Sequence, residues 1–259
     1  MNKTELILSE LEYLIDEEKR IILPRFFKTG KGEYGEGDQF LGVTVPRIRS
    51  VASVHLDTST HDIEILLSSP WHEVRMCGLM IMVENCKKIG KKSWLKSHSL
   101  DDGEQIRKHY FDLYLKHTDR INNWDMVDLT APTIIGEYLS RQENRTADKQ
   151  VTKDFLFSLA ESSLLWEQRI AVVSTFTFIR QNEFDYIYLL AENLLHHPHD
   201  LMQKAIGWML REAGKRDKPM LMDFLDDHYT EMPRTMLRYA IEKFSDTERE
   251  YYMRKDKSK

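Results

Sequence analysis

The chain has 259 residues, 41% hydrophobic and 31% charged, with a formal net charge of −5. It is long enough to bury a sizeable core as one large domain or one repeat array, and its scarcity of Pro (7) and Gly (11) excludes a sandwich or barrel of many short strands. There is no apolar run of about 18 residues to span a membrane, and the acidic balance excludes a uniformly basic surface, so a phosphate-binding face must gather its cations locally.

Residues 1–18 are acidic and amphipathic, without the basic start and apolar centre of a secretion signal. Across 5–23 the apolar residues Leu6, Leu8, Leu11, Leu14, Ile15 and Ile22 fall at helical spacing. From Thr29 to Gly42 the pattern breaks: five of the eleven glycines lie here, which predicts a loop with special backbone geometry. Gly30-Lys31-Gly32 is no Walker motif and no strand precedes it. The stretch reads as a tight connection whose Lys28 and Lys31 are offered to a nucleic acid. After Pro46 the helical pattern returns and persists, with the last few residues expected to be disordered. Cys77 and Cys86 lie nine residues apart in one predicted helix, where they cannot easily bridge; a reduced cytoplasm is expected.

Several later segments resemble one another. Trp71-His-Glu-Val-Arg75, Trp166-Glu-Gln-Arg169, Asp200-Leu-Met-Gln-Lys204 and Pro233-Arg-Thr-Met-Leu-Arg238 each start near a turn signal, place a basic residue one turn in, and continue apolar. Positions 169, 204 and 238 are 35 and 34 residues apart. Such a period predicts stacked helical pairs in a curved solenoid with a concave face; chance similarity within an irregular bundle is the alternative. Small residues after the basic one (Gly78, Ala171, Ala205, Ala240) are expected to let neighbouring helices approach.

Three constellations stand out. Trp124 and Asp128 are four apart and share one face of a helix capped by Asn122 or Asn123, with Asp125 about 100° around. From the residues alone the favoured reading is Trp124 as core and Asp128 as a solvated or capping carboxylate. Lys204, Trp208 and Arg211 fall at i, i+4 and i+7, a cation–aromatic–cation stripe suited to a sugar-phosphate backbone, or a buried indole with two snorkelling cations. Arg169 suits bidentate phosphate contact, or a structural pairing with Glu167 or Glu161; Trp166 beside it reads as packing. His196, His197 and His199 around Pro198 read as a polar turn, since no zinc-ligand spacing accompanies them.

Four of these pieces in order resemble the HEAT-like repeat DNA-alkylation repair glycosylase family: Phe26-Phe-Lys-Thr-Gly-Lys-Gly-Glu-Tyr-Gly-Glu-Gly-Asp-Gln-Phe-Leu-Gly-Val43 with Pro46, Asn123-Trp124-Asp125-Met-Val-Asp128, Leu165-Trp166-Glu-Gln-Arg169, and Gln203-Lys204-Ala-Ile-Gly-Trp208-Met-Leu-Arg211-Glu212. The resemblance implies an all-helical repeat fold over 1–259 as a single domain and a monomer acting on duplex DNA. The substrates it implies are cationic bases such as N3-methyladenine and N7-methylguanine, excised with no metal or organic cofactor and without a base-binding pocket. It also implies that Trp124, Asp128, Arg169 and Trp208 line the site at the lesion's sugar and phosphate; Lys204, Arg211, Lys28 and Lys31 are expected on the DNA from their own positions. The Gly-rich stretch is longer here, and Phe26 stands where the best-understood branch has a tyrosine. A non-catalytic binder of damaged or branched DNA and a helical protein scaffold are the competing functions.

Overall fold

Short polar side chains set where the helices begin. Asn2, Asp16, Ser59, Ser99, Asn123, Asp148, Asp217 and Ser245 each accept a hydrogen bond from a backbone N–H of the first turn they precede. The computed structural model describes residues 2–254, so the expected disorder of the final residues lies outside the described part. Two compact units divide the chain, Met1–Tyr138 and Leu139–Lys259.

The first unit contains α1 (Lys3–Tyr13), α2 (Glu17–Phe26), α3 (Val45–Val54), α4 (Thr60–Leu67), α5 (His72–Lys88), α6 (Leu100–Lys116) and α7 (Trp124–Ala131). The single helical pattern expected over 5–23 is in fact two helices: Asp16 caps a fresh start, and of the apolar positions named there only Leu11 is fully buried, joined by Ile7. At the centre lies α5, buried along nearly its whole length against α3, α4 and α7. Gly78 is where α4 presses on it, since a Cβ there would stand 3.2 Å from the Cβ of Leu66. Beyond α7, Pro132 has no N–H to donate and the ladder widens into one π-turn, Pro132–Gly136.

The helix α8 (Glu137–Thr146) runs across the division. The second unit then continues through α9 (Lys149–Ala160), α10 (Leu165–Arg180), α11 (Asp185–Asn193), α12 (Asp200–Gly214), α13 (Lys218–His228), α14 (Arg234–Ala240) and α15 (Asp246–Met253). Here the 34–35-residue spacing is borne out: Arg169, Lys204 and Arg238 each sit about one turn into α10, α12 and α14, and those three helices pack in succession. Alanines 171, 205 and 240 are buried as expected. A close backbone approach between α12 and α14 lies elsewhere, at Gly207 of α12, where an added Cβ would lie 2.4 Å from the Met236 carbonyl oxygen. The His196–His199 stretch is the turn into α12, in which His197 Nε2 hydrogen-bonds the Gln168 amide oxygen at 2.9 Å.

Candidate active site

The start of α7 decides where two of the expected site residues point. Asn123 adopts extended backbone and its Oδ1 accepts the Trp124 N–H at 2.9 Å, so Trp124 and Asp128, one turn apart, share a face. The amide of Asn123 also reaches the Phe27 carbonyl at 3.5 Å. Gly35 fits against this pair, since a Cβ there would come 2.5 Å from that same carbonyl oxygen. The Gly-rich segment is thus folded down onto the head of α7, and its glycines serve close approach as well as turning: Gly32, Gly37 and Gly42 have φ of 78°, 80° and 93°.

Trp124 and Asp128 are both half-buried, and both line a cavity of ≈ 530 Å³ whose other walls come from α2, α3, Phe27 and Phe40. Phe27 stacks on Phe40 (centroids 5.0 Å, planes 7° apart), leans on Trp124 at 5.4 Å and meets Phe26 edge-on at 4.9 Å. Phe26 in turn stands 5.8 Å from Trp124 and is 57% exposed, which puts it at the rim. The sequence announces no pocket here and the resemblance implies an open wall; the structure has a largely apolar cavity with Phe26, Phe27, Phe40 and Trp124 among its walls.

Behind the rings lies a buried ionic network that sequence reasoning missed. His72 is set between two carboxylates, Nδ1 at 2.8 Å from Asp38 and Nε2 at 3.0 Å from Asp125. Burial alone would depress its pKa, but Asp125 and Asp38 outweigh it and hold the imidazole up at about 9, against the ordinary 6.5. At neutral pH both ring N–H groups therefore donate. Asp38 also accepts from Arg75 Nη2 at 2.5 Å; although burial would raise it, His72 and Arg75 together keep its carboxyl below the usual range. Arg75, expected only as the basic position of a repeat, spends its remaining donors on Asn122 and on the carbonyls of Ser69, Pro70 and Arg120. Glu73 accepts three backbone N–H groups, those of Leu41, Gly42 and Val43, at 2.8–3.1 Å and so clamps the end of the Gly-rich segment.

Asp125 requires a correction. Its position about 100° around from Trp124 makes it less able to share the site. It does line the same cavity, because the Gly-rich segment and α5 cover the head of α7 and bring the wall around to it. A signal was available: charged His72, Glu73 and Arg75 open a helix whose continuation is almost wholly apolar, the pattern of ions that must find buried partners.

The second unit holds the other expected residues. Arg169 is buried and its Nη1 donates to the Leu201 carbonyl at 2.5 Å, which ties α10 to the first turn of α12. Trp166 is buried packing, as expected. Trp208 is half-buried, its ring 6.1 Å from that of Phe176. Lys204 pairs with Asp200 at 2.6 Å, and Arg211 pairs with Glu242 and with Glu212. Both cations of the expected stripe thus have carboxylate partners. Lys28 and Lys31 are exposed in the first unit, Lys28 having positive φ and a loose 4.0 Å approach to Glu33.

The family model described as "DNA alkylation repair enzyme" matches residues 7–244. The chain belongs to that family. A solved structure described as a predicted DNA alkylation repair enzyme from Enterococcus faecalis is similar in fold to this family member, with a TM-score of 0.64 over 90% of this chain and 97% of that one at 14% identity. No curated protein matches the sequence. In this DNA alkylation repair family member, no helix among the described residues is long and apolar enough to cross a membrane.

Proposed function

We propose that the chain is a DNA glycosylase that hydrolyses the N-glycosidic bond of positively charged alkylated purines, such as N3-methyladenine and N7-methylguanine, in duplex DNA. The observation that carries this reading is the placement of Trp124 and Asp128 on one helical face at the wall of one cavity, in a member of a DNA alkylation repair family.

A cationic purine is already a good leaving group and needs no general acid. As the bond from C1′ to the ring nitrogen breaks, its electron pair returns to the base, which departs neutral, and positive charge gathers on the deoxyribose. Water adds to C1′ and releases a proton to Asp128 or to solvent. Asp128 stabilises the charged sugar. Two unit charges ~4 Å apart at an effective dielectric of ~20 attract by ~4 kcal/mol; expressed only in the transition state, that is roughly a thousandfold in rate. The indole face of Trp124, on the same helical face as Asp128, packs on the sugar and favours its developing charge. Lys28, Lys31, Lys204 and Arg211 are assigned to the backbone. The step as written uses side chains and water alone.

The test is base release from N7-methylguanine DNA. Asp128→Asn is expected to keep DNA affinity within about twofold and to lose roughly a thousandfold in single-turnover rate. Excision at the wild-type rate in that variant overturns the catalytic assignment. Because the lesion's own charge drives the step, uracil in duplex DNA is expected to be released at background rate; efficient uracil release contradicts the mechanism.

A further inference from the structure

We propose that Arg180 and Arg216, with the adjoining ring pair Phe176 and Trp208, form a grip of the second unit on the sugar-phosphate backbone of DNA. The proposal rests on the glycosylase reading only for DNA as the partner. It goes beyond that reading in assigning Phe176, Arg180 and Arg216, which neither the repeat nor the Lys204–Trp208–Arg211 stripe singles out.

The patch is built where two helices end. Past Arg169 every residue of α10 is buried except Phe176 and Arg180. They are four apart and so share the one edge that this helix leaves open. The guanidinium of Arg180 stands 5.8 Å from the centroid of the Phe176 ring, and that ring lies 6.1 Å from the ring of Trp208 on α12. The chain then leaves α10 through Asn182, whose φ of 63° is a left-handed conformation that Asn tolerates. The Asn182 amide oxygen accepts from Arg216 Nη1 at 3.0 Å, and Arg216 lies just past the end of α12. Two exposed arginines therefore gather at the ends of α10 and α12, and Phe176 links the first of them to Trp208.

What holds these arginines decides what they are free to bind. Among the described residues neither pairs with a carboxylate: Arg180 rests on a ring and Arg216 on a neutral amide. Both partners steady the side chain and leave its charge whole. The acids nearest in sequence are engaged elsewhere, Glu183 with Lys149, Glu212 with Arg211 and Lys215, and Asp217 in capping α13. Lys204 and Arg211, by contrast, must each give up an acid before meeting a phosphate. A guanidinium is planar and can donate two parallel N–H bonds to phosphate oxygens. Rings flanked by cations fit a strand that alternates sugar with phosphate, the ring packing on sugar or base and the cation meeting the charge. In a chain of net charge −5, two guanidiniums that keep their charge are a part of this unit's surface well suited to a polyanion.

The experiment is fluorescence anisotropy of the intact protein with unmodified duplex DNA over a salt series. Arg180→Ala with Arg216→Ala is expected to lower the log–log salt slope by up to about 1.8 and to weaken binding about tenfold at fixed salt. Both side chains are exposed, so the melting temperature is expected to hold; should the double variant melt early, each single alanine variant is expected to lower the slope by about 0.9. Arg180→Lys with Arg216→Lys is expected to restore the slope but only part of the affinity, since lysine keeps the charge and loses the planar fork. Asn182→Gly accepts the positive φ and removes only the tether of Arg216, so it is expected to keep the slope. An unchanged slope in the folded alanine variants, or in Asn182→Gly a loss of slope equal to that of Arg216→Ala, overturns the proposal, the second because it marks Arg216 as a structural tie. Absence of duplex binding by the wild type overturns it as well. The expected slopes together with no base release from N7-methylguanine DNA sustain the grip and remove the glycosylase reading instead, so the two failures are told apart.

Discussion

His72 carries the most consequential charge in the first unit, because one proton on it satisfies two buried carboxylates. Removing either partner of such an arrangement leaves an uncompensated buried ion, which typically costs about 3–5 kcal/mol. The linkage has a definite sign. A histidine whose folded pKa is raised from 6.5 to about 9 adds stability that is whole below about 6.5 and is lost as pH rises through about 9. At ~1.4 kcal/mol per pKa unit the full contribution is about 3 kcal/mol. Denaturant unfolding should therefore show wild-type stability falling by about that amount between neutrality and about pH 10. His72→Gln should be less stable at neutral pH and should lack the alkaline decline. A wild-type curve that stays flat through pH 9 would mean that His72 is neutral in the folded protein. The same residue gives α7 its footing: Asp125 is held by His72, and Trp124 and Asp128 flank it in the helix. Loss of the proton is thus expected to slow base release over the same alkaline range.

Among the elements, the Gly-rich segment shows how glycines with similar dihedrals differ in what they do. Gly32 has φ 78° and open space around its Cα, so Gly32→Ala meets only backbone strain, about 1–2 kcal/mol. Gly42 has φ 93° and a Cβ there would come 2.5 Å from the Asp16 carbonyl oxygen and 2.7 Å from the Arg20 nitrogen. Gly42→Ala adds overpacking of about 1–3 kcal/mol to the strain and pushes on the start of α2. Paired melting curves check the order: Gly42→Ala should be the more damaging by at least about 1 kcal/mol, and equal losses would show that α2 yields freely. These residues also mark what could be read in advance. The start of α7 and the repeat were legible, because a cap and a recurring basic residue one turn into an apolar helix are local patterns, whereas the Asp16 cap that divides 5–23 was hidden by the continuous apolar spacing. The loop was legible as a loop, since glycine density is local too. Its function as a clamp was not, because Glu73 meets Leu41, Gly42 and Val43 across about thirty residues. The same limit hid the Asp38–His72–Asp125 network, drawn from three separate segments, and hid Gly207 as the close-contact point of α12 and α14. Trp124 with Asp128 was found because four residues of one helix carry both.

Charge is the property that belongs to the molecule as a whole. With a net charge of −5 the protein meets a polyanion against its own average field, so its affinity depends on a small number of local cations and on what holds them when DNA is absent. Lys28 and Lys31 are exposed in the Gly-rich segment, whereas Lys204 is paired with Asp200, and Arg211 with Glu242 and Glu212. A cation that must leave a carboxylate before reaching a phosphate returns less free energy than one taken from water, although each phosphate neutralised releases counterions alike. The DNA-binding assignments therefore differ in affinity more than in salt dependence. Lys28→Ala with Lys31→Ala is expected to lower the log–log salt slope by up to about 1.8, and Lys204→Ala with Arg211→Ala by a similar amount. The second pair should cost less affinity at fixed salt, because it discards ion pairs along with phosphate contacts. Removing the competitor should act in the opposite direction: Glu242→Gln leaves Arg211 with only its neighbour Glu212 and is expected to tighten binding to unmodified duplex about two- to fivefold without changing the slope. Fluorescence anisotropy over a salt series measures all three. An unchanged slope in the Lys204/Arg211 double variant would mean that the stripe around Trp208 is a surface of the second unit held by its own acids, and that the duplex is gripped elsewhere.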